Sequence, residues 1–246
     1  MDYKLSMIVF SYPGIGKTTL LATAADDDRT SPSVLIDLES NLWPIKSKVV
    51  LVSLEDLLNN NVVPSEETKG KIYTVSIHEW TEFERIVDFF ERKEYPWKSV
   101  CIDSLSEINW LNVRMVCRTC GKRRPGENEP PELEHYNHSH VQMLSLIRRL
   151  RDIKPHVFLS CHVREDTDES TKVTTLKTGL VKGLAKDVGY LIHLLGYYYA
   201  NQNSKRIITF EPTHRIIAKH STEGGGLVEP IENPTITKIL DEVERR

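Results

Sequence analysis

FSYPGIGKTTL, residues Phe10–Leu20, is the stretch on which the reading of this chain turns. An apolar run, Met7-Ile8-Val9-Phe10, ends in a turn holding Pro13, Gly14 and Gly16. Lys17, Thr18 and Thr19 then open a helical segment. This is the strand–loop–helix context of a phosphate-binding P-loop. Small residues let backbone N–H groups curl around a β-phosphate, and the following helix begins with unpaired N–H groups aimed at the anion. The expected cradle for ATP is Ser11, Pro13, Gly14, Ile15, Gly16, Lys17, Thr18 and Thr19. Lys17 is expected on the β/γ-phosphates and the Thr18 hydroxyl on Mg²⁺. Ser11 stands where G-x-x-x-x-G-K-[ST] has its first glycine, so it either takes an allowed backbone conformation or adds slight strain.

Outward from the loop, short apolar runs alternate with amphipathic segments, as in a mainly parallel α/β sheet flanked by helices. Val34-Leu35-Ile36-Asp37-Leu38-Glu39 and Ser99-Val100-Cys101-Ile102-Asp103 read as buried strands ending in acids; Val157 to Cys161 is a third, ending at His162. Residues 40–71 are polar and turn-rich. Ser76 to Glu79 fits a capping box opening a helix with Trp80, Phe83, Val87 and Phe90 on one face. Met143, Leu146, Ile147 and Leu150 mark another helix, and Ile236, Ile239, Leu240 and Val243 a C-terminal one. Cys117 to Glu134 reads as a loop-rich insertion, and Arg164 to Lys186 as a long polar loop of the kind that carries function. Leu191 to Leu195 resumes a strand. Ile207–Phe210 and Arg215–Ala218 read as an antiparallel pair added at the end. The expectation is a single domain over residues 1–246.

Ligands of parallel sheets sit beyond the carboxyl ends of the strands, which draws attention to Glu39, Asp103 and His162. Asp103 occupies the position of a Mg²⁺-holding aspartate; the alternative is an aspartate capping the next turn. Glu39 is the candidate to deprotonate the attacking water, with Asp37 two residues away on the same face; the alternative is a cap or ion pair. His162 either senses the γ-phosphate and informs the segment after it, or is a buried, satisfied histidine.

SYPGIGKTTL, VLIDLES, VCIDSLSEI and VFLSCH, in that order, resemble the RecA-like P-loop ATPases, and within them the phage-encoded Sak-type single-strand-annealing ATPases. GLVKGLAKDVGYLIHLL and RIIAKHS are also similar, so the resemblance spans most of residues 7–220. It implies that Glu39 is the catalytic base and that His162 couples nucleotide state to a DNA-binding loop. It further implies active sites between protomers of a ring or filament, with Lys219, Lys182 or Lys186 as the basic residue donated in trans. Single-stranded DNA and a single-strand-binding protein are the implied partners, and recombination by annealing or pairing the implied output.

With Lys+Arg 32 against Asp+Glu 35, the net charge is −3, so any nucleic-acid contact must be local. Two places qualify: Arg118, Lys122, Arg123 and Arg124, and the loop carrying Arg164, Lys172, Lys177 and Lys182, the latter diluted by acids. Solvated charged loops are the alternative for both. Cys117-x2-Cys120 followed by His135 and His140 fits a Zn²⁺ pattern, whereas Cys101 and Cys161 lie in apolar strands as core residues. No apolar run approaches the ~18 residues that span a bilayer, and the start lacks the pattern of a signal peptide. The expected location is therefore the cytoplasm, of a bacterial host if phage-encoded, with the cysteines reduced. Two other readings remain: a P-loop kinase of a nucleoside or other small molecule, and a nucleotide-gated adaptor without catalysis. A GTPase is disfavoured because N-K-x-D is absent.

Overall fold

A computed structural model describes residues 4–92, 95–120, 130–221 and 229–245. In chain order, β1 (Ser6–Ser11) leads through the glycine turn into α1 (Lys17–Ala22), then β2 (Ser33–Asp37), β3 (Val49–Leu51) and α2 (Leu54–Leu58). Next come β4 (Ile72–Ser76), α3 (Trp80–Glu91), β5 (Ser99–Asp103), α4 (Leu105–Thr119) and α5 (Leu133–Asp152). The chain continues through β6 (His156–Thr167), β7 (Thr174–Thr178), α6 (Lys182–Leu191), β8 (Leu194–Ala200) and β9 (Arg206–Thr209). It closes with β10 (Lys219–His220), β11 (Ile231–Glu232) and α7 (Ile236–Glu244).

The strands form one mixed sheet in the order β11-β9-β8-β1-β6-β5-β2-β4-β3. From β8 to β3 every neighbour is parallel. Antiparallel partners are added by β9 and β10 on β8, β11 on β9, and β7 on β6. The expected α/β class, with antiparallel strands toward the C-terminus, is what the chain adopts.

Central strands are apolar on both faces because helices cover both, as parallel sheets require. One face of β1 and β2 offers Ile8, Phe10, Val34 and Ile36 to α3, α4, α5 and α6; the other offers Met7, Val9 and Leu35 to α1 and α7. The periodicity of α3 is realised, with Trp80, Phe83, Val87 and Phe90 all buried. Burying each such side chain contributes about 1.5–3 kcal/mol relative to exposure, which fixes the helix on the sheet.

Several expectations need correction. The capping box belongs to Glu79 and Glu82, with Ser76 already committed to the end of β4. α4 continues to Thr119, so Cys117 is helical rather than the start of a loop. β6 does not stop at Cys161. It runs to Thr167 and folds back through β7 as a two-stranded ribbon, so much of the expected Arg164–Lys186 loop is ordered, and α6 takes its end. α6 also claims Leu191, deferring the next strand to Leu194. β9 pairs with β8 and β11 rather than with Arg215–Ala218, within which Ile216 bridges to Leu176 of β7. Among the described residues no helix is long and apolar enough to cross a membrane.

Candidate nucleotide site

The glycine turn sits at the carboxyl end of β1, between β6 and β8. Gly14 (φ 79) and Gly16 (φ 106) hold left-handed backbone that side-chain-bearing residues rarely adopt. Ser11, in the first glycine position, closes β1 in register with His162 and donates from Oγ to the Tyr12 carbonyl (2.9 Å). It has no positive φ, so the substitution introduces no backbone strain. Gly16 is the N-cap of α1, where no side chain caps the helix and no acid occupies the first turn. That leaves the first N–H groups of the helix for an anion.

Strand register delivers the acids to the same end of the sheet. Asp37 and Asp103 are cross-strand partners on β2 and β5, and the Leu38 N–H donates to the Asp103 carbonyl (2.8 Å). Thr18 Oγ1 donates to Asp103 Oδ2 (2.5 Å), tying the start of α1 to the end of β5. Ser160 Oγ donates to the other oxygen of the same carboxylate. Asp103 is 2% exposed, and burial pushes its pKa up against the hydrogen bonds from Ser160 and Thr18.

Glu39 lies just past β2. Its Oε1 accepts from His162 Nε2 (2.9 Å), and this bond holds the carboxyl below its usual range despite partial burial. Lys17 is close enough to add to that lowering and also acts on Asp103. Asp37 has a different role. Its Oδ1 accepts from the N–H groups of Glu39 (3.2 Å) and Ser40 (3.0 Å), and its Oδ2 accepts from Ser76 (3.3 Å). It therefore shapes the turn that presents Glu39, which separates two acids that sequence spacing alone confuses.

Lys17, Thr18, Glu39, Asp103 and His162 are thus gathered at one end of the sheet. Two residues that sequence reasoning passed over belong with them. Ser160 shares a face of β6 with His162, a period-two relation that was there to be read. Ser106 accepts from the His162 N–H (3.0 Å) and so fixes the strand where that histidine projects. Tyr12 donates its hydroxyl to Glu165 on β6, which raises its own pKa to about 12 and links the glycine turn to the ribbon.

The zinc expectation finds no support in the geometry. Among the described residues no group of three or more His, Cys, Asp or Glu gathers to hold a metal. His135 Nδ1 accepts from the Glu132 N–H (3.0 Å) in the capping box of α5, and His140 Nε2 pairs with Asp187 (3.0 Å). Lys219 donates to the carbonyls of Gly189 (2.8 Å) and Ile192 (2.9 Å), so within its own chain it closes the end of α6. Of the basic residues considered for DNA, Lys122, Arg123 and Arg124 lie outside the described residues. Lys177 pairs with Asp166 across the ribbon, while Arg164 is exposed.

The oxygen donors of Thr18 and Asp103 suit a hard divalent cation, and the carboxylate's protein partners are neutral hydroxyls. Mg²⁺ therefore fits these two residues, whose donors are oxygens rather than the thiolates and imidazoles that favour Zn²⁺.

A glycine turn feeding a helix from a central parallel strand, with buried acids beside it, defines a P-loop nucleotide-binding protein. The chain belongs to the AAA domain family, whose model matches residues 3–222. No curated protein matches it.

Proposed function

We propose that this P-loop protein is an ATPase that binds single-stranded DNA and couples turnover to annealing or pairing, in the manner of the Sak-type ATPases its motifs resemble. The observation that carries the ATPase reading is the convergence of Lys17, the Thr18–Asp103 pair and the Glu39–His162 pair at one end of the sheet. Thr18 and Asp103 would hold Mg²⁺, which would supply charge neutralisation to the oxygens of the phosphoryl group being transferred. Lys17 adds a fixed positive charge on the same oxygens. Water attacks the γ-phosphorus in line, Glu39 takes its proton, and the bond to the β–γ bridging oxygen breaks to leave ADP and phosphate. The hydrogen bond from His162 keeps Glu39 ionised and therefore able to accept that proton.

The DNA reading is supported by the motif resemblance and by the position of the β6–β7 ribbon. His162 and Glu165 lie on one continuous strand, and both touch the site, through Glu39 and Tyr12. A change in nucleotide state that disturbs either contact moves a strand that also bears Arg164. Assembly into a ring or filament and recruitment of a single-strand-binding protein belong to the same proposal, as do a cytoplasmic setting and one domain over residues 1–246. The test is ATP hydrolysis with and without single-stranded DNA, repeated for Lys17→Ala. Stimulation by DNA, lost in the variant, is the expected result. Turnover indifferent to DNA, with no shift of DNA in a gel, overturns the DNA part. Phosphoryl transfer to a nucleoside in place of hydrolysis overturns the ATPase.

A further inference from the structure

The residue closest to the Cβ side of Gly16 is an arginine from β9, two strands away from β1 in the sheet. A Cβ built on Gly16 would lie 3.1 Å from Arg206 Cζ and 3.1 Å from its Nη1, so the guanidinium rests directly against the last glycine of the cradle. Arg206 opens β9, opposite Ala200 of β8, and so stands at the same end of the sheet as the glycine turn. Tyr198, two residues back along β8, is buried against α1, and the Arg206 charge opposes the upward push of burial on that phenol.

The sheet order sets direction. Asp103 ends β5 and Glu39 follows β2, both on one side of β1, whereas Arg206 approaches across β8 from the other. A nucleotide that lies along the strand ends with its terminal phosphate facing the acids points its other end toward β8 and β9. The local charge has the same meaning. The neighbouring Lys205 is neutralised by Glu232 (2.8 Å), while Arg206 forms no ion pair among the described residues. The start of α1 and Arg206 thus bring positive charge together with no acid in the helix's first turn, a convergence that an anion stabilises.

We propose that Arg206 binds the nucleotide held by its own chain, its planar fork engaging the α-phosphate at the end remote from Glu39 and Asp103. The proposal rests on the P-loop reading and adds a cis cation to it. An arginine suits this place because it presents two donors to one phosphate and stays charged beside a positive helix end.

Mg²⁺-ADP and Mg²⁺-ATP are titrated calorimetrically into the wild type, Arg206→Ala, Arg206→Lys and Lys17→Ala, with melting of each apo protein recorded alongside. Because ADP and ATP share the α-phosphate, Arg206→Ala is expected to weaken both by about tenfold, which is about 1.4 kcal/mol. Arg206→Lys is expected to recover part of that loss, and apo melting to stay at the wild-type value. Equal binding by wild type and Arg206→Ala overturns the proposal. So does a loss confined to ATP, which would put the arginine at the γ-phosphate, or a melting temperature that falls in step with affinity. A wild type that binds neither nucleotide defeats the P-loop reading itself, and this inference with it.

Discussion

Asp103→Asn separates what the site costs the fold from what it does for the ligand. Asp103 is almost fully buried and faces two neutral hydroxyls, so its negative charge is desolvated without a cation bonded to it. Its pKa is raised above the unfolded value, chiefly by burial. A carboxyl of this kind contributes stability when protonated, at low pH, and loses it as pH rises through the folded-state pKa; at neutral pH the ionised form is a net cost. Asparagine keeps the shape: its oxygen accepts from one hydroxyl and its amide donates to the other after that hydroxyl rotates. A gain of about 1 kcal/mol corresponds to about 2–4 °C in Tm for a chain of this size. The expected outcome is an apo variant melting at least as high as wild type at pH 7.5, with the difference shrinking toward pH 4. The same variant should lose the extra stabilisation that Mg²⁺ adds to ATP binding. The assay is thermal melting across pH, with and without Mg²⁺-ATP. A variant that melts several degrees lower without nucleotide, or that keeps the full Mg²⁺-dependent rise, refutes the reasoning.

Glu39→Gln should cut ATP turnover by about 10²–10⁴-fold while leaving nucleotide affinity near wild type, read by phosphate release and by titration with Mg²⁺-ATP. His162→Ala removes the hydrogen bond that holds Glu39 low, so the Glu39 pKa should rise and the acid limb of the pH–rate profile should move to higher pH; an unmoved limb would detach His162 from the base. Lys219→Met leaves the carbonyls of Gly189 and Ile192 without their cation, so Tm should fall while turnover per folded molecule holds; lost turnover at unchanged Tm would instead support donation in trans.

The glycine turn and the acids after β2 and β5 were legible because each is a local signal: a fixed spacing, or an apolar run that ends in a carboxylate. The ribbon of β6 and β7 was not. Arg164, Glu165, Asp166 and Thr167 and their partners from Thr174 to Lys177 pair outside the covered sheet. They therefore lack the alternation of buried and exposed side chains by which strands announce themselves. The Cys117–Cys120 pair looked like a ligand set because spacing carries no information about the helix that continues through Cys117 to Thr119. Ser76 matched a capping box in letters, but its backbone was already taken by β4 pairing with β2. Arg206 had no local signal at all. Only the return of β9 along β8 brings it across to Gly16, a relation between residues far apart in the chain.

Where a triphosphate and its metal settle tests this site most directly, and a crystal structure with Mg²⁺ and a non-hydrolysable ATP analogue would reveal it. The expected result is phosphates wrapped by residues 11–19, the metal on Thr18 Oγ1 beside Asp103, and the Glu39 carboxylate facing a water in line with the γ-phosphate. An analogue bound elsewhere, or one whose γ-phosphate points away from Glu39 and Asp103 toward β9, would contradict it.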